Sequence, residues 1–74
     1  MFCIYPIINI ALVEPLIEEQ LRYMCFLYEP NIVKIEWLAP LEVKITFDTI
    51  ENAFEGAYHL RNEWSLRVQQ ECTF

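Results

Sequence analysis

Two stretches of strict alternation, set side by side, limit what this chain can become. From Asn31 to Leu38, Val33, Ile35 and Trp37 alternate with Lys34 and Glu36, and after Ala39-Pro40 the residues Leu41, Val43, Ile45 and Phe47 alternate with Glu42, Lys44 and Thr46. A period of two sends successive side chains to opposite faces of a sheet. The segment therefore predicts an antiparallel hairpin with one apolar and one charged face.

The same period recurs at both ends. Ile8, Ile10 and Leu12 alternate with Asn9 and Ala11, a first strand over about Ile7 to Val13, and Trp64, Leu66 and Val68 alternate with Ser65, Arg67 and Gln69 as a last strand. Between strands the period becomes helical. Pro15 suits a first turn, Glu14 to Glu19 place negative charge at the positive end of the dipole, and Pro30 closes the segment. Ile17, Leu21, Met24, Cys25 and Tyr28 fall on one continuous stripe, which predicts a helix to about Tyr28. Asp48 with Glu51 is a capping-box-like start for a second helix, whose Ile50, Ala53, Ala57 and Leu60 share one face to about Asn62. Phe54 and Tyr58 flank that face and are expected to pack between the helices.

The order is βαββαβ. With right-handed crossovers it closes into an α+β, ferredoxin-like two-layer sandwich: a four-stranded antiparallel sheet with two helices on one face. Residues 8–70 form this domain, 1–7 an apolar N-terminal segment and 71–74 a C-terminal tail. The end at Phe74, directly after the last strand, hints at a domain cut from a longer chain.

Charge and cysteine usage narrow the function. Five Lys or Arg against eleven Asp or Glu give a net charge of −6, whereas nucleic-acid affinity comes largely from cations that neutralise phosphates. A general polyanion binder is not expected. Cys3, Cys25 and Cys72 are odd in number and widely spaced, as in a reduced intracellular protein, cytoplasmic or nuclear. Met1 to Val13 carry no charge, but 13 residues fall short of the roughly 20 that a membrane span needs. No membrane association is expected. His59 is the lone histidine, Ser65 the lone serine and Gly56 the lone glycine, which leaves no nucleophile–base pair, phosphate loop or metal-ligand spacing. We read the chain as no enzyme, without cofactor, metal or small-molecule substrate.

The run from Ile45 to Leu60, a strand ending in Phe47 and then a helix of small-x-x-small-apolar-x-x-Leu type, resembles the third strand and second helix of an RNA-recognition motif (RRM). Leu66-Arg67-Val68 resembles its fourth strand, and Glu18 to Arg22 followed by Asn31-Ile32-Val33 resembles its first helix and second strand. The resemblance implies a setting among RNA-handling proteins. It also assigns three base-stacking aromatic positions on the sheet, which here hold Asn9, Glu42 and Lys44. Stacking contributes roughly 1 to 3 kcal/mol per aromatic, so the resemblance implies a degenerate member that lacks the RNA-stacking aromatics.

A domain of this size buries only roughly 60 to 65% of its unfolded surface, and 55% of these residues are hydrophobic. Helix 1 shows where the surplus lies. Beside its core stripe, a second face carries Leu16, Tyr23, Phe26 and Leu27 with Glu19 and Gln20. Exposed apolar patches rimmed by polar residues mark interaction sites. Leu16, Gln20, Tyr23, Phe26 and Leu27 are therefore the expected protein interface, to a second copy or to another subunit. The expected role is a protein-interaction adaptor or scaffold in an RNA-processing or RNA-regulatory complex. Weak RNA binding through loops and Lys34, Lys44 and Arg67 is the alternative, and a small acidic viral or phage inhibitor imitating nucleic-acid charge stands behind it.

Overall fold

The computed structural model describes residues 5–25 and 29–71. Its elements are β1 (Ile7–Ala11), α1 (Glu18–Met24), β2 (Ile32–Ala39), β3 (Glu42–Phe47), α2 (Ile50–Glu63) and β4 (Arg67–Gln70), with a 3₁₀ turn over Glu29–Asn31 before β2. The strands form one antiparallel sheet in the order β2-β3-β1-β4. β3 and β1, apart in sequence, thus occupy the centre.

Alternation decides which side of the sheet is covered. Ile8 and Ile10 of β1, Val43, Ile45 and Phe47 of β3, and Val68 of β4 are buried. They join Leu21, Met24 and Cys25 from the first helical segment and Ala53, Ala57 and Leu60 from α2 in one cluster. Asn9, Lys44 and Thr46, at the alternate positions, stay partly exposed on the other face. Gly56 lets α2 sit close to the sheet, because a Cβ there would lie 2.7 Å from Phe47 Cζ, nearer than packed carbon atoms approach.

The hairpin of β2 and β3 turns through Pro40 and Leu41, and Glu36 faces Lys44 in its register. One irregularity reassigns a core position. The pairing steps from Ile32↔Phe47 to Lys34↔Thr46, and the extra residue of such a bulge loses its place in the ladder. Val33 is accordingly 68% exposed, and Ile32 packs against the core.

The first helix differs most from expectation. It begins at Glu18, so Pro15 precedes it, and Ile17 becomes the N-cap with extended backbone. Isoleucine has no side-chain acceptor to satisfy the free N–H groups of the first turn. Gln20 reaches back instead, its Oε1 accepting from Ile17 N at 3.0 Å. Leu16 and Ile17 then exchange the roles that an earlier start gives them: Ile17 is 60% exposed, and Leu16 packs against the core. Tyr28, the last residue of the expected stripe, lies outside the described residues.

α2 has a better cap. Thr49 Oγ1 accepts from Asn52 N at 3.1 Å, and Asp48 Oδ1 from Asn52 Nδ2 at 2.8 Å, so the capping residue is Thr49 rather than Asp48. Phe54 and Tyr58 do not pack between the helices; both are exposed. At about 100° per residue they share a flank with Arg61, and Arg61 Nε and Nη2 donate to Val68 O at 3.0 and 2.6 Å. That flank faces the β4 edge. Glu71 N donates to Ile7 O, which makes the alternate pair Ile10/Val68 the kind whose carbonyls point out of the ladder. Arg61 thus occupies an acceptor on an open sheet edge, a position otherwise free to template another strand.

The last strand begins at Arg67, not at Trp64. Trp64 is the C-cap of α2, and Ser65 takes a left-handed backbone at φ 55°. This turn holds Trp64 on the helix side while the chain swings into the sheet. β1 likewise stops at Ala11, leaving Val13 exposed.

Candidate functional site: a groove beside the first helix

Three of the residues expected at the interface come together. Leu16, Gln20 and Tyr23 line an open groove of about 610 Å³ with Glu19, Met24 and Trp64. Phe26 and Leu27 lie outside the described residues. Tyr23 is 69% exposed and Trp64 41% exposed. Their ring centroids are 6.5 Å apart with planes at 75°, an edge-to-face pair. Leu16 and Met24 supply the inner wall because both also touch the core. Gln20 is held by its bond to Ile17 N, and Arg22 Nε is bonded to Glu18 Oε2 at 3.3 Å on the neighbouring strip of α1.

Trp64 is the member that strand reasoning misses. Alternation with Leu66 and Val68 places it in β4, whereas the left-handed turn at Ser65 removes it from the sheet and sets it against Tyr23. The signal lies in the short stretch between Asn62 and Arg67, too brief to hold both a helix terminus and a full strand.

The outer face of the sheet holds the three positions that the RRM resemblance assigns to stacking aromatics. Two of them converge on one carboxylate. Glu71 Oε1 lies 3.3 Å from Lys44 Nζ and accepts from Asn9 Nδ2 at 3.4 Å. The third, Glu42, lines a shallow cavity of about 460 Å³ with Leu38, Arg67 and Gln69 among others. Lys34 pairs with Glu36 at 3.5 Å on the same strand. Lys44 and Glu36, opposite in register, therefore each meet another partner. Among the described residues, no aromatic side chain lines the sheet cavity.

At the C-cap of α1, the Cys25 thiol is buried in the core cluster. Burial pushes its pKa up to about 11, against a smaller downward pull from Arg22, so it stays a neutral apolar filler. His59 is half-buried on α2. Among the described residues, no group of three or more His, Cys, Asp or Glu is placed to hold a metal ion, and no helix is long and apolar enough to cross a membrane.

No protein-family model matches the chain, and a search of the curated proteins returns no match. The groove and the sheet face therefore carry the functional reading by their own chemistry.

Proposed function

We propose that this protein is a non-enzymatic protein–protein interaction module with an RRM-like, ferredoxin-like fold. In this reading it is an intracellular adaptor or scaffold subunit that docks through the α1 face, to a second copy or another subunit, in an RNA-processing or RNA-regulatory complex. The βαββαβ order and the β2-β3-β1-β4 sheet are those such a sandwich has. The resemblance around Phe47 and α2 supplies the RNA setting. One observation carries the interaction role: the groove lined by Leu16, Gln20, Tyr23 and Trp64, which leaves two aromatic rings at the surface. Interface cores are enriched in aromatics and poor in charge.

Direct RNA binding through the sheet finds less support. Lys34 and Lys44 already face Glu36 and Glu71. For the charge-mimic reading, acidic side chains occur on both layers, at Glu18, Glu19, Glu51 and Glu55 on the helices and Glu36 and Glu42 on the strands, rather than on one surface.

The test is light scattering of the isolated chain together with quantitative capture from its own cells, comparing the native sequence with Tyr23→Glu. A folded Tyr23→Glu chain that loses the native chain's self-association or retained subunits is expected. Unchanged association would remove the reading. A fluorescence titration with mixed single-stranded RNA at low salt should show no tight binding.

A further inference from the structure

The two rings that edge the groove form a corner. Because Tyr23 and Trp64 meet edge to face at 75°, a guest beside them contacts aromatic carbon on two sides. Among the described residues that line the groove, Glu19 is the one charged side chain and no Lys or Arg contributes. Aromatic faces carry negative potential and attract cations, and the Glu19 carboxylate adds to that field. The whole chain carries −6, which favours approach of a positive partner. Leu16 and Met24 complete the groove with apolar surface, suited to an aliphatic stem.

We infer that the groove receives a lysine or arginine side chain presented by an apolar segment of a different protein. This rests on the groove being the docking surface proposed above and adds the chemistry of its guest. The stem lies along Leu16 and Met24, and the cationic head sits between Tyr23, Trp64 and Glu19. A volume of about 610 Å³ exceeds one side chain, so apolar neighbours of the cation enter with it. A second copy is the poorer occupant. Two-fold association sets a patch against itself, bringing Glu19 towards Glu19 between two chains of charge −6.

The experiment is a nuclear magnetic resonance titration of the isotope-labelled chain with two probes. One is a short acetylated leucine–arginine–leucine amide, and the other replaces arginine with citrulline, its neutral near-isostere. The arginine probe should move the Trp64 indole N–H and Tyr23 amide resonances and bind roughly tenfold more tightly than the citrulline probe. Glu19→Gln, an exposed change that leaves the fold intact, should shrink that ratio, and Trp64→Leu should remove it. Equal binding of both probes at the groove would overturn the cation preference while leaving the docking reading standing. Shifts confined to the sheet face, or none at all, would also overturn the inference; the Tyr23→Glu capture experiment decides the docking reading separately.

Discussion

The helix-side groove and the outer face of the sheet are both open concavities, yet they differ in what their side chains already do. On the sheet, Asn9 and Lys44 converge on Glu71, and Lys34 meets Glu36. In the groove, Tyr23 and Trp64 touch each other by an edge and remain exposed over much of their surface. Polar groups with local partners gain little from a ligand, because each new bond replaces an existing one or one to water. Exposed aromatic carbon gains by being covered. The comparison supports the proposal that recognition falls on the groove, the side with fewer charges, rather than on the sheet, the surface that RNA-recognition motifs use for RNA.

The two sides should also answer substitution differently, since the groove is seated on the packed core and the sheet face is not. The largest effect expected is at Cys25. Its thiol titrates near 9.0 when exposed and at about 11 when buried. The folded state therefore holds a proton that the unfolded state has lost, and the contribution of this group is full below about pH 9 and falls as pH rises towards 11. Two pKa units correspond to about 2 to 3 kcal/mol. Denaturant melts of the native chain should lose that much between those pH values relative to Cys25→Ala, which should lack this part of the slope.

Gly56→Ala comes next. Alanine favours a helix by about 1 kcal/mol, but its Cβ would meet Phe47 Cζ at 2.7 Å, and overpacking of this kind costs about 1 to 3 kcal/mol. A net loss of roughly 1 kcal/mol is expected by chemical denaturation, with a change in Trp64 fluorescence as α2 lifts and the groove widens. A gain in stability would mean that α2 is not seated as described.

Lys44→Met, on the sheet, removes an ammonium that lies 3.3 Å from Glu71. Partly exposed ion pairs contribute about 0.2 to 1 kcal/mol, so stability should drop by no more than this, and partner retention should stay unchanged. Tyr23→Glu should likewise cost only about 0.5 to 1.5 kcal/mol in a melt, the worth of the edge-to-face contact with Trp64 that it removes. A large loss would show that Tyr23 supports the fold rather than a partner.

The hairpin was the most legible part of the fold. Its alternation reads directly onto Val43, Ile45 and Phe47, all buried, and what escapes is the pair of register shifts at Val33 and Leu38, since an extra residue leaves no mark in the pattern. Helix 1 was less legible, because Pro15 fits a first turn while the actual start depends on Gln20 reaching back to Ile17. That shift inverted the places of Leu16 and Ile17. In the groove, Gln20 and Tyr23 follow from helical spacing, whereas Leu16 lies ahead of the helix and reaches the groove from the preceding segment. Trp64 was not legible, because a left-handed residue at Ser65 redirects the chain in a way that hydrophobic periodicity does not encode. On α2, the exposure of Phe54 and Tyr58 followed from which flank faces β4, a fact of tertiary placement.

The most direct test of the account is a side-by-side capture from the protein's own cells with two charge-altering substitutions, Tyr23→Glu in the groove and Arg67→Glu on the sheet face, each shown by melting to be folded. The subunits retained by the native chain should survive Arg67→Glu and be lost with Tyr23→Glu. Retention by Tyr23→Glu together with loss in Arg67→Glu would place recognition on the sheet and contradict the account.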